Sequence, residues 1–239
     1  MSAYLLELPD GDSIPYHLEL RSRRTVGMRI TTDGLIVHAP KRISRSQLDS
    51  ILLSKAGWIR KKLEARQEHA VEPMQWRDGA ALMLLGNEVT LSVKHNARSR
   101  NVEYLAGVLS VALPAVDDKA AIARKVVQWY RKQALTDFSR RVELLSARLG
   151  VATPKLYLSN AGARWGSCNG KKEVRLNWRL IQAPPHIISY VAAHELAHLK
   201  EMNHSAKFWA VVESLFADYK KAEKELKTLS PLLHAIDGS

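Results

Sequence analysis

The chain has 239 residues, 46% hydrophobic and 25% charged, a composition that excludes a disordered or fibrous protein and suits one large or two modest globular domains. No apolar run approaches the ~20 residues of a membrane span. The opening MSAYLLELPDGDS lacks the basic flank of a secretory signal, and the single cysteine, Cys168, rules out an internal disulfide framework, so a reducing, cytoplasmic setting is expected. The formal charge is +12, and most of the excess sits late: residues 1–120 carry 17 Lys/Arg against 14 Asp/Glu, residues 121–239 carry 19 against 10. Such a balance suits a solvated basic surface and also attracts nucleic acid.

The first segment alternates turn signals with short β-like runs. YLLEL meets IPYHLEL across PDGDS, and TVGMRI meets LIVHAP across TTDG, which predicts two hairpins. SRSQLDSILLSKAGWIRKKLEAR then carries Leu48, Ile51, Leu52, Lys55, Ile59 and Leu63 on one helical stripe, with Ser44 or Ser46 as cap. QEHAVEPMQWRDG reads as a linker. A second β region follows, AALMLL, a Gly86–Asn87 turn, EVTLSVKH, NVEYL and VLSVALP.

From Asp117 the period becomes helical. Ile122, Val126, Tyr130, Ala134, Phe138, Val142, Leu145 and Leu149 form one face, started by Asp117 or Asp118 and stopped by Gly150. The basic pairs Arg124–Lys125, Arg131–Lys132 and Arg140–Arg141 lie largely off this face. KLYLS and EVRLNWRLI read as strands around the loop NAGARWGSCNGKK. Pro184–Pro185 opens a helix, SAKFWAVVESLF forms another, and a basic helix runs from near Tyr219 to before Pro231. There is no internal sequence repeat. The expected architecture is α+β, with a β-rich region over 1–115 and a helical domain with a small antiparallel sheet over 116–239.

Residues 194–204 read HELAHLKEMNH. Histidines four apart share one helix face a turn apart, so His194 and His198 can close on one ion. Glu195 is rotated roughly 100° from His194, beside the ion's open position, where a general base for water belongs. Random placement gives H-E-x-x-H a chance of only about 2% in a chain of this composition. His204 would face away on an unbroken helix, about 240° from His198. It becomes a third ligand only if the chain turns, and Asn203 in a left-handed conformation with Ser205 capping the next helix would allow that. Zinc suits such a donor set, and a catalytic site keeps one position open for water. Glu201 stands where the metzincin pattern has glycine and no Met-turn follows, which excludes that class.

With RWGSCNGKKEVRLNW, HELAHLKEMNHSAKFW and the earlier RSRRTVGMRITTDGLIVHAPKRIS, the sequence resembles the YgjP-like family of zincin metallopeptidases, kin to SprT-like and WLM-type proteases, over about residues 20–230. The resemblance implies a zincin-like α+β catalytic domain, zinc ligands His194, His198 and His204, and Glu195 as catalytic acid/base. It supplies no particular substrate and gives RWGSC no role; a peptide or protein substrate is what the peptidase expectation requires. Arg164 could bind a substrate carboxylate or steady developing negative charge, or pin the loop through an ion pair. Trp165, Trp178 and Tyr190 read as packing residues. Asn177 could orient a group behind the ligands or pair the strand, and Cys168 could approach the metal as a thiolate or serve only the loop.

Peptide hydrolysis is the leading expectation, the substrate pairing with the edge of the EVRLNWRLI strand. A zinc-stabilised nucleic-acid module, a protease acting on DNA-bound proteins and a catalytically idle scaffold are the rivals.

Overall fold

The computed structural model describes residues 2–31, 34–68, 74–96 and 101–236. The chain separates into two compact units, Met1–Ala70 and Val71–Ser239. The division falls in the segment read as linker, of which residues 69–73 lie outside the described part. The expected boundary near 115 lies inside the second unit. There the buried residues of strands 81–113 and of helix 119–149 share one core, and a shared core makes one unit.

The first unit holds β1 (Ser2–Glu7), β2 (Ser13–Arg21), β3 (Gly27–Thr31), β4 (Gly34–Pro40), α1 (Arg45–Leu53) and α2 (Ala56–Glu68). Both expected hairpins form, and β2 and β4 join them in parallel, in the order β1-β2-β4-β3. Alternate residues Leu35, Val37 and Ala39 enter a core with Leu48, Leu52 and Ile59. Ser44 caps α1 in a reciprocal capping box with Gln47. One continuous helix was expected here, and two are found. Ser54 Oγ donates to Ile51 O at 2.8 Å and Lys55 N to Leu52 O at 3.0 Å, so a tight turn replaces the α-helical ladder before α2 restarts.

The second unit begins with β5 (Ala81–Leu84), β6 (Asn87–His95), β7 (Val102–Leu105) and β8 (Val108–Leu113) in the order β5-β6-β8-β7. The same topology thus occurs twice, two hairpins joined by a parallel pair, each followed by a proline and, four residues on, a helix cap: Pro40 to Ser44, Pro114 to Asp118. Pattern and turn chemistry, more than residue identity, specify this arrangement. The β5–β6 turn sits one residue earlier than expected, at Leu85–Gly86. Both have positive φ, and their N–H groups donate to Ile181 O and Gln182 O, which holds Leu85 in that conformation.

Helix α3 (Lys119–Leu149) runs as read, capped by Asp118 and ended by left-handed Gly150, with all eight stripe residues buried. Next come β9 (Leu156–Ser159), β10 (Gly166–Cys168) and β11 (Val174–Asn177), then a 3-10 helix (Trp178–Gln182), α4 (Pro185–Ala197), α5 (Ala206–Leu215) and α6 (Tyr219–Leu233). The small sheet is mixed, not antiparallel: its order is β10-β11-β9, and β11 runs parallel to β9. The strand read through EVRLNWRLI stops at Asn177, whose side chain accepts from Arg179 N and starts the 3-10 helix. Helix α6 continues through Pro231, where the lost N–H falls in the last turn and Gln182 Nε2 donates to Leu233 O at 3.0 Å.

Arg141 fixes α4 against α3. Its guanidinium is paired with Asp137 and donates to Pro185 O at 3.0 Å and Ser189 Oγ at 2.7 Å, with both charged side chains about 13–14% exposed. Asp137→Ala leaves this cation without its carboxylate. It is expected to cost about 2 kcal/mol, read as a lower urea midpoint with unchanged m-value.

Candidate metal centre and active site

Helix α4 is apolar on most of its circumference, with Ile187, Ile188, Ala192, Ala193, Leu196 and Ala197 fully buried, so the turn bearing His194, Glu195 and His198 is held in place by packing. The helix ends at His198. Leu199 N donates to Leu196 O and Lys200 N to Ala197 O, a 3-10 tightening that turns the chain. Asn203 does not adopt the left-handed conformation expected of it; the tightened turn makes the bend, and the Asn203 side chain accepts from Ser205 N at 3.3 Å. Ser205 then caps α5 as expected, accepting from Phe208 N.

The bend brings His204 back to the other two rings. One nitrogen from each of His194, His198 and His204 lies within 4.8 Å of the others. The Nε2 atoms of His194 and His204 are 3.1 Å apart. Two ligands of a tetrahedral zinc, each ~2.0–2.1 Å from the ion, are separated by about 3.3 Å, so the pair fits that geometry. His198 Nδ1 meets Glu201 O at 3.1 Å, which turns its Nε2 inward. Burial, aided by the charges of the two neighbouring rings, pushes His194 down to about 4, and burial also lowers His198. At neutral pH both are the neutral imidazoles that metal binding requires. His194 Nδ1 is buried without a partner among the described residues. The donor set fits zinc.

Glu195 is 5% exposed, and burial pushes its carboxyl up to about 8 against the opposing charge of Arg164. A cation at the three rings would draw that value back down. Its side chain lies flat on Gly166: a β-carbon at 166 would fall 2.5 Å from Glu195 Cγ and 2.7 Å from Cδ. No larger residue fits. RWGSC therefore has a place. Gly166, Ser167 and Cys168 form β10, an edge strand, and with Met202 and the four site residues they line a cleft of about 280 Å³.

Behind the cleft the loop is clamped. Asn177, fully buried, donates to Ala161 O at 2.7 Å, and Trp165 Nε1 donates to Ser230 Oγ at 2.9 Å while its ring stacks on His234. Arg179 Nε donates to Ile236 O at 2.7 Å. Trp178 is a core residue bonded to Asn160, and Tyr190 packs on Phe216 with its edge toward His194. Cys168 lines the cleft outside the three-histidine set, and burial keeps its thiol protonated. Arg164 is exposed and makes no ion pair among the described residues, so the loop-pinning alternative falls away. The strand expected to offer its edge, β11, is paired on both sides; the edge over the cleft belongs to β10. Sequence reading missed Gly166 and Met202. Gly166 lies inside RWGSC and Met202 inside HELAHLKEMNH, but neither residue type marks a cleft by itself.

Fold and site together define a metallopeptidase domain. The chain belongs to the YgjP-like family, whose metallopeptidase-domain model matches residues 24–229. Two solved structures are similar to it. One is the metallopeptidase zymogen of Pyrococcus abyssi abylysin, 26% identical, covering 38% of this chain and 92% of that one at a TM-score of 0.36. The other is the zymogen of Methanocaldococcus jannaschii jannalysin, 24% identical, covering 40% and 96% at a TM-score of 0.34. No curated protein matches. Among the described residues no helix is long and apolar enough to cross a membrane.

Proposed function

We propose that the chain is a zinc-dependent peptidase in which His194, His198 and His204 hold the metal and Glu195 moves the proton. The observation that carries this reading is the convergence of three imidazoles beside a buried carboxylate on an open cleft. All four residues lie in the second unit, within 116–239. Zinc, when bound there, supplies Lewis acidity toward the scissile carbonyl and lowers the pKa of water to about 7. Glu195 accepts the proton of the attacking water and passes it to the leaving amine. Edge strand β10 offers backbone groups to an extended peptide, a role supported by its position along the cleft. Arg164, within electrostatic reach of Glu195, meets a substrate carboxylate or the negative charge that develops during attack. The open cleft favours this reading over an idle scaffold, since a purely structural zinc is closed by a fourth protein ligand.

The test is metal removal. Purified protein is expected to carry about one zinc per chain, to lose cleavage of a fluorogenic peptide library on chelation, and to regain it with zinc. Cleavage that survives complete metal removal overturns the proposal.

A further inference from the structure

Strands β2 and β4 lie side by side in parallel, Arg21 opposite Pro40, so the loops leaving them emerge at the same end of the first unit's sheet. One loop carries Arg23 and Arg24, the other Lys41 and Arg42. All four are exposed, and none makes an ion pair among the described residues. Glu19 is held by Arg21 and His38, Asp49 by Arg45, and Asp10 and Asp12 share Arg60 at the β1–β2 turn, the opposite end. Between Leu20 and Leu48 the sequence has seven Lys/Arg and one acid, Asp33, which lies outside the described residues. Arg23 is partly placed. Its guanidinium lies over Gly27, where a β-carbon would fall 2.8 Å from Nη2, and it reaches Thr25 Oγ1 at 3.5 Å.

We propose that this end of the first unit binds the phosphate backbone of nucleic acid through Arg23, Arg24, Lys41 and Arg42. Four uncompensated cations on two adjoining loops create a local positive field, whose natural counterpart is a polymer with charge repeated at short intervals. Three of the four are arginines, whose planar fork matches phosphate oxygens. The two loops carry no Phe, Tyr or Trp, so the contacts they offer are to the backbone and independent of sequence. Of the basic pairs of α3, Arg140–Arg141 is less suited, because both guanidiniums are paired with Asp137. This proposal goes beyond the peptidase reading and stands apart from it.

The experiment is fluorescence anisotropy of a labelled 20-base-pair duplex with the full chain at 50 and 200 mM KCl. Four phosphate contacts predict a salt slope near −3.6, which is an affinity loss of about 150-fold between the two conditions. Arg23→Gln, Arg24→Gln, Lys41→Gln and Arg42→Gln combined should remove most of that slope. The same number of changes at exposed Lys119, Arg124, Arg131 and Lys132 on α3 should leave it nearly intact. Unchanged binding by the first variant, equal loss in the second, or no binding by the parent overturns the proposal. Equally tight, equally salt-sensitive binding of poly-glutamate overturns it in favour of an acidic protein partner. Peptide turnover plays no part in the readout, so failure here leaves the peptidase reading untouched.

Discussion

Glu195→Gln is expected to cut peptide hydrolysis by about 10²–10⁴-fold while zinc content stays that of the parent. The amide is nearly isosteric and still accepts a hydrogen bond, so the packing on Gly166 is kept. It cannot take up a proton, and proton transfer is the proposed work of this side chain. The carboxyl is 5% exposed and lies outside the three-histidine set, so removing it should not release the metal. Burial already disfavours its ionised form, and replacing a buried carboxylate by a neutral group should leave Tm equal or higher. Turnover of a fluorogenic peptide, elemental zinc analysis and a thermal melt read the three quantities separately. Activity within tenfold of the parent would sink the assignment of Glu195; loss of zinc along with activity would make it a structural group.

Gly166→Ala should come close to the same loss without touching a titratable group. The new methyl would sit 2.5 Å from Glu195 Cγ, a separation that forces something to move. Helix α4 cannot yield easily, because Ala192, Ala193 and Leu196 around Glu195 are fully buried in a close-packed core. Either the Glu195 carboxyl swings away or β10 lifts off the helix, and a displacement of ~1 Å in a catalytic group costs on the order of 10² in rate. Overpacking adds a stability loss of about 1–3 kcal/mol. Gly170→Ala is the control, since a β-carbon there meets nothing within 4 Å and its φ is not positive. The double variant Gly166→Ala/Glu195→Gln should be no slower than Glu195→Gln alone, because both act through one side chain. Multiplicative losses, or a fully active Gly166→Ala enzyme, would separate RWGSC from the proton-transferring group.

Much of the site was legible because a helix has a fixed period. His194 and His198 had to share a face, and the long stripe from Ile122 to Leu149 had to be buried, whatever packs on it. Caps were legible for the same local reason: Ser44, Asp118, Gly150 and Ser205 act within a few residues of themselves. The bend before His204 was inferable, though not its means. A left-handed Asn203 was the simplest local device, whereas the chain uses a 3-10 closing turn that depends on Glu201 O meeting the His198 ring.

Sequence by itself determined the α+β class, the sharing of one helix face by His194 and His198, and the balance of charge, since each follows from residue type and short-range spacing. Tertiary structure alone decided which strand borders the cleft, because strand order is set by pairing between segments far apart in the chain; β11 went to the centre and β10 to the edge. It also decided that Gly166 must lack a side chain, since the group that excludes one, Glu195, stands 29 residues away. The charge followed the same rule. The net excess lies in the second half of the sequence, yet four unpaired cations of the first unit collect at one sheet end, because parallel β2 and β4 deliver two separate basic loops to the same place.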